Sequence, residues 1–207
     1  AVVSSIKNTN LTAFEAVLSV CPYYTRPSQE GIYQHFKHIA EASPKPIILY
    51  NVPPRTGVSI SNETTVRLAK DFPNIIGTKD ATGDLESVIS LIDKAPKDFH
   101  VISGDDVLAL AVVMSGGSGV ISVIGGALPY QVSQMIRLAL NGEVVAAKVY
   151  QSQMMNLMEL IFKEGNPSGV KKLSEQLGLC SCKVRLPLIQ ASDKLSQSIF
   201  EAHKTMV

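Results

Sequence analysis

An α/β protein built around one parallel sheet is what this sequence predicts, and three observations predict it. Short apolar runs begin near residues 47, 75, 100 and 119, with a helical apolar pattern between each successive pair. Each of the first three ends in turn chemistry: the prolines and glycine of Asn51–Gly57, the Asp, Thr and Gly of Asp80–Gly83, and the GDD of Gly104–Asp106. No Gly-rich dinucleotide fingerprint follows any of them, because SGGSG (115–119) lies between a helix and a strand, on the wrong side for phosphates. Such repetition implies right-handed crossovers and suits a (β/α)₈ barrel as well as an open doubly wound sheet. The missing fingerprint favours the barrel.

Taken in order, Ala1–Lys7 reads as the tail of a helix with Val2, Val3 and Ile6 on one face. Ala16–Val20 is a short strand closed by the loop CPYYTRPSQEG, and Ser28 caps a helix whose apolar stripe is Ile32, Tyr33, Phe36, Ile39 and Ala40. Ile47–Tyr50 is the next strand. Asn62 is expected to cap a helix carrying Val66, Leu68 and Ala69. The strand from Ile75 ends at Lys79, and Asp84 caps a helix with Val88, Ile89, Leu91 and Ile92 inward. His100–Ser103 is a fourth strand, Leu108–Met114 a helix, and Gly119–Val123 a fifth strand. Beyond it the chain turns helical. Pro129 opens one helix and Gly142 ends it, Glu143–Phe162 is a long amphipathic pattern, Ser168 or Asn166 caps a helix to about Leu177, and Asp193 caps a last one to Met206. The expected division is a partial barrel over residues 1–141 and a C-terminal helical extension over 142–207. The methionines at 154, 155 and 158 read as core or subunit contact.

Composition narrows the class. At 207 residues the chain can bury one sizeable core. A formal charge of +1 without Lys/Arg blocks argues against nucleic acid or anionic membrane as the main partner. No apolar run approaches the roughly 18 residues of a membrane span, and AVVSSIKNTN has neither the basic flank nor the apolar stretch of a secretory signal. Three cysteines make no disulfide framework, and Cys180 and Cys182 have no histidine near them for zinc. A reduced, cytoplasmic enzyme without a metal is the expectation. Of the four histidines, His35 and His38 lie together on a helix and read as solvated.

The chemistry collects at the carboxyl ends of the strands. Lys79 closes the strand of IIGTKDATG (75–83). A lysine ammonium withdrawn from water loses its charge more easily, and the neutral amine can attack a ketone to form a Schiff base. A lysine flanking a strand is also commonly just solvated, so the neighbours decide. Tyr50 closes the strand before it, Tyr23 and Tyr24 follow the first, and Arg55 lies on the loop after Tyr50. In a closed barrel these face one mouth, where a phenol can relay protons and a guanidinium fork can hold a carboxylate. The set describes a pocket for a small keto acid.

Four stretches carry a specific resemblance: LYNVPPRTG (49–57), IIGTKDATG (75–83), PYYTRPSQEGIYQHF (22–36) and GVISV (119–123). Ordered and spaced as they are, they resemble the dihydrodipicolinate synthase family. The resemblance implies a Schiff-base lyase on a (β/α)₈ barrel with a C-terminal helical extension, condensing pyruvate with aspartate semialdehyde in lysine biosynthesis. It needs no cofactor beyond the covalent imine. Lys79 would bind pyruvate, Tyr50 would be the phenol of the proton relay, and Tyr24 would reach across a dimer interface into the neighbouring site. Arg55 would hold the aldehyde's carboxylate. The backbone carbonyls of Gly104 and Ile121 would line the pocket, and Tyr23 would stack at an effector cleft between subunits in lysine-inhibited members. A homo-oligomer, dimer or tetramer, is implied.

One departure accompanies the match. The family begins with three further βα units, the second followed by a Gly-Thr-Thr-Gly loop that nothing here matches. A shortfall of roughly 75–90 residues relative to a typical barrel is the expectation, with an uncovered apolar sheet face and an inactive, poorly soluble chain if these 207 residues stand alone. The alternatives are another pyruvate-dependent aldolase, such as an N-acetylneuraminate lyase or keto-deoxy-sugar-acid aldolase, which lacks the arginine of VPPRTG, or a non-catalytic fragment.

Overall fold

The computed structural model describes residues 1–206. Elements follow in the order α1 (Val2–Asn8), β1 (Val17–Val20), α2 (Gln29–Ala42), β2 (Ile47–Asn51), α3 (Pro53–Thr56), α4 (Asn62–Asp71), β3 (Ile75–Asp80), α5 (Leu85–Lys94), β4 (His100–Ser103), α6 (Ala109–Met114) and β5 (Gly119–Val120). A 3₁₀ turn at Ile124–Gly126 then leads to α7 (Pro129–Leu140), α8 (Val144–Leu160), α9 (Ser168–Gln176) and α10 (Asp193–Lys204). The chain divides into two compact units: residues 1–105 with 115–121, and residues 106–114 with 122–207.

The first unit holds the whole sheet, five parallel strands in the order β1-β2-β3-β4-β5. Its two faces differ. Ile47, Leu49, Thr78, Val101 and Ser103 are almost completely buried, while Leu18, Ile48, Tyr50 and Ile102 on the opposite face stay partly open. The helices of this unit supply the matching apolar stripes, and α2 buries all five residues expected of it. Ser28 accepts a hydrogen bond from Gly31 N and Asp84 from Ser87 N, the N-caps anticipated for α2 and α5.

Several boundaries differ from expectation for physical reasons. The cap of α4 is Ser61, whose Oγ accepts from Thr64 N; Asn62 is already helical and donates to Ser87 O on α5. Thr64 and Thr65 join Leu68 in the buried stripe of α4, with Val66 and Ala69 only half-buried, and Ile89 of α5 is exposed. β5 has only two residues, and the chain bends at Val123 into the 3₁₀ turn. The proline-rich loop after β2 closes into the one-turn helix α3, with Gly57 in the left-handed region at its end. Neither Ser168 nor Asn166 caps α9; the Ser168 hydroxyl donates to Ile189 O instead. Ser192, not Asp193, caps α10. His35 is half-buried with an unpartnered Nε2, and that burial, with a lesser push from His38, lowers its pKa.

In the second unit α7 packs on α8, and Met154, Leu157 and Met158 of α8 are core residues. Asp106, also buried, accepts hydrogen bonds from Val123 N and Ile124 N at the start of the 3₁₀ turn. Glu175 accepts from Lys172 Nζ and from Cys182 N, and hydrogen bonds from Lys172, from the Cys182 thiol and from its backbone N–H, in that order, hold its carboxyl down at about 2. No helix among the described residues is long and apolar enough to cross a membrane.

Candidate active site

Four backbone hydrogen bonds order the carboxyl ends of the strands. Cys21 N donates to Tyr50 O (3.0 Å), Ala81 N to Asn51 O (2.8 Å), Gly104 N to Asp80 O (2.6 Å) and Ile121 N to Ser103 O (2.9 Å). The parallel pairing thus runs one step past β1, β3, β4 and β5, and the residues that follow those strands are tied to the neighbouring strand.

Lys79 lies inside this frame. It is only 9% exposed, and its Nζ sits 4.4 Å from the centroid of the Tyr50 ring. The contact depends on register. Ile47 pairs with Ile75, but Ile48 pairs with Gly77, so β3 carries one extra residue at Ile76. Without that irregularity Tyr50 would pair with Thr78, and Lys79 would project from the other face. With it, Tyr50 and Lys79 are direct cross-strand partners.

Gly104 makes room for the lysine. A Cβ at this position would lie 3.0 Å from Lys79 Cε, 2.8 Å from Ala81 Cβ and 3.0 Å from Asp80 O. Ile121, two residues beyond Gly119, is half-buried at the end of the β5 line. Arg55 sits in α3, exposed, on the loop that leaves β2 directly after Tyr50 and Asn51. Tyr23 and Tyr24 are different: they are 66% and 92% exposed. Tyr24 also has φ +70°, and Arg26 in the same loop has φ +46°. Positive φ costs a non-glycine residue on the order of 1 kcal/mol, so the loop holds the Tyr24 backbone where its own sterics would not.

Sequence reasoning missed a buried polar cluster on the far side of this ridge. Asn51 is 4% exposed and Asp80 8% exposed. Asn51 Nδ2 lies 3.3 Å from Asp80 Oδ2, and Asp80 Oδ1 accepts from Thr82 N (3.0 Å) and Thr82 Oγ1 (2.6 Å). The available signal was position: both residues directly follow a chosen site residue and so face the opposite side of the sheet. Among the described residues no group of three or more His, Cys, Asp or Glu could hold a metal ion.

A parallel α/β sheet with a buried lysine at a strand's carboxyl end, stacked on the phenol of the adjacent strand, defines the class: an α/β protein with an amine at the place where barrels of this kind react. The sequence profile of the Dihydrodipicolinate synthetase family matches residues 3–205, and the chain belongs to that family. It is 52% identical over 198 residues to the 4-hydroxy-tetrahydrodipicolinate synthase of Flavobacterium psychrophilum, covering 96% of this chain and 68% of that protein. The crystal structure of dihydrodipicolinate synthase from Aquifex aeolicus superposes with a TM-score of 0.94 at 35% identity, over 98% of this chain and 69% of that one. The chloride-inhibited enzyme from Acinetobacter baumannii, complexed with pyruvate, gives 0.90 at 42% identity, over 93% and 66%. The chain thus spans about two thirds of the length of the relatives it matches. The fold class is α/β of the (β/α)₈ type, as expected.

Proposed function

We propose that this protein carries out the 4-hydroxy-tetrahydrodipicolinate synthase reaction, a Schiff-base lyase condensing pyruvate with aspartate semialdehyde in the diaminopimelate route to lysine. The observation that carries this reading is the buried Lys79 held against Tyr50, in a chain that is 52% identical to a synthase of that name. The Lys79 amine adds to the C2 carbonyl of pyruvate and water leaves, giving an imine. Loss of a proton from the adjacent methyl yields an enamine, and its carbon attacks the aldehyde. Tyr50, whose ring lies against the amine, passes protons during carbinolamine formation and loss of water. The Gly104 and Ile121 carbonyls line the pocket, and Arg55 takes the carboxylate of the aldehyde.

Tyr24, exposed and conformationally constrained, is the residue offered to a second subunit, and Tyr23 beside it belongs to an effector cleft in the same reading. The working form is then a homo-oligomer in the cytoplasm. Residues 1–141 supply the barrel part and 142–207 the helical extension. No cofactor enters this chemistry other than the imine itself.

The test is covalent trapping. Incubation with pyruvate and borohydride is expected to add one reduced pyruvate to the peptide containing Lys79, and turnover is expected with aspartate semialdehyde rather than with sialic acid. Trapping on a different lysine, or preference for the sugar acid, overturns the proposal.

A further inference from the structure

The far side of the sheet carries a feature that the reaction above does not use. Asn51 is buried directly behind Tyr50, yet its carboxamide is committed almost entirely to one loop and one carboxylate. Oδ1 accepts from Ile60 N (3.0 Å) and from Ser59 Oγ (3.3 Å). Nδ2 lies 3.2 Å from Ile60 O, 3.2 Å from Ser59 Oγ and 3.3 Å from Asp80 Oδ2. The orientation of the amide is forced: only its oxygen can face the Ile60 N–H, and only its nitrogen can face the Ile60 carbonyl and the Asp80 carboxylate.

These contacts close the segment from Asn51 to Ile60, a separation of nine residues that contains α3 and therefore Arg55. The same carboxamide grips Asp80, the residue after Lys79, and Asp80 in turn holds Thr82 in the turn that follows β3. One side chain thus links the loop that carries the proposed carboxylate-binding arginine to the end of β3, the strand that carries the amine. Arg55 itself is exposed in a one-turn helix, too short to be rigid on its own.

We infer that Asn51 is a positioning residue: acting through Ile60 and Asp80, it sets the place of Arg55 relative to Lys79 and so governs recognition of the carboxylate-bearing aldehyde rather than of pyruvate. This rests on the function proposed above. Asn51→Asp removes the donor toward Ile60 O and sets a carboxylate against Asp80, which frees the loop. Exchanging the pair, Asn51→Asp with Asp80→Asn, restores a donor facing an acceptor between positions 51 and 80 and keeps an oxygen at position 51 for Ile60 N–H and one at position 80 for Thr82, while Ile60 O still lacks its donor.

The experiment is steady-state kinetics on the full-length protein, paired with amide hydrogen exchange at Ile60. Asn51→Asp is expected to raise KM for aspartate semialdehyde about tenfold, the scale of one misplaced charged contact, with KM for pyruvate within about twofold. The exchanged pair is expected to recover part of the loss, the part owed to the carboxylate set against Asp80, and Ile60 protection is expected to fall and partly return in parallel. Ser59→Ala, which trims the network at its loop end, keeps the test open if Asn51→Asp folds poorly; its aldehyde KM is expected to rise about twofold. Equal changes in both KM values, loss of stability alone, or no recovery in the exchanged pair overturns the inference. A wild-type protein that traps no pyruvate overturns the function reading instead. Ile60 exchange then decides: unchanged protection in Asn51→Asp overturns the inference, and protection lost and then partly regained in the exchanged pair supports it.

Discussion

The ridge around Lys79 and the loop around Tyr24 are built on opposite principles. Lys79 is 9% exposed, paired in register with Tyr50, and fitted against a glycine where an added Cβ would make neighbours shift. Tyr24 is 92% exposed and sits at positive φ only three residues past Cys21, which is fully buried. The amine is placed by contacts that a single chain makes with itself. The tyrosine is held in an unfavourable backbone state with its ring almost wholly exposed, so no packing within the chain accounts for the strain. On the function proposed above, one half of the site is finished on folding and the other is left for a second subunit to complete.

The largest effects should come from the finished half. Lys79→Ala is expected to abolish the borohydride-trapped adduct while leaving the far-ultraviolet circular dichroism unchanged; an adduct that persists would move the amine elsewhere. Gly104→Val adds a branched side chain where even a Cβ meets Lys79 Cε at 3.0 Å and Ala81 Cβ at 2.8 Å. Overpacking of this kind costs about 1–3 kcal/mol, read as a lower urea midpoint, and trapping is expected to slow as Lys79 is pushed aside. Normal trapping in Gly104→Val would show that the fit around the lysine is looser than the spacing implies.

Periodicity made the strands and α2 legible, because an apolar stripe or run is a local property of the chain. Lys79, Tyr50 and Arg55 could be nominated because turn residues mark where each strand ends. The register shift at Ile47/Ile48 was not legible: a single extra residue in β3 leaves no trace in composition, yet it decides that Lys79 faces Tyr50. Asn51 and Asp80 were passed over because asparagine and aspartate after a strand read as turn chemistry, and only the fold reveals that both are buried against each other. The caps of α4 and α10 slipped by one residue, since Ser-Asn and Ser-Asp offer two capping side chains in a row and local geometry selects the first.

Cys21 marks the border between the two regions and gives a sharper, smaller test. Burial pushes its thiol up to about 11, from an ordinary value of 9.0. A folded-state value above the unfolded one means that stability is fully present below about pH 9 and is lost as pH rises toward 11. The expected outcome is a loss of about 1–2 kcal/mol across that window which is absent in Cys21→Ala. Parallel denaturation curves at several pH values for the two proteins check it. In the native state iodoacetamide is expected to modify exposed Cys180 well before Cys21. Equal rates would put the end of β1 on the open side of the border.

The smallest expected effect belongs to the strained tyrosine, and it has the opposite sign. Asparagine tolerates the left-handed region better than an aromatic residue does, and at 92% exposure the ring has little packing to lose. Tyr24→Asn is therefore expected to stabilise the isolated chain by several tenths of a kcal/mol, measured as a higher urea midpoint under conditions where subunits are separated. The same substitution is expected to lower turnover in the assembled protein, because the proposed function gives the phenol a role in the neighbouring site. Tyr24→Phe separates the two effects: it keeps the strain and the ring but removes the hydroxyl, so its midpoint should match wild type while its turnover falls. If Tyr24→Asn instead lowers the midpoint, the ring is doing structural work within its own chain, and the division between a finished and an unfinished half of the site fails at the residue on which it most depends.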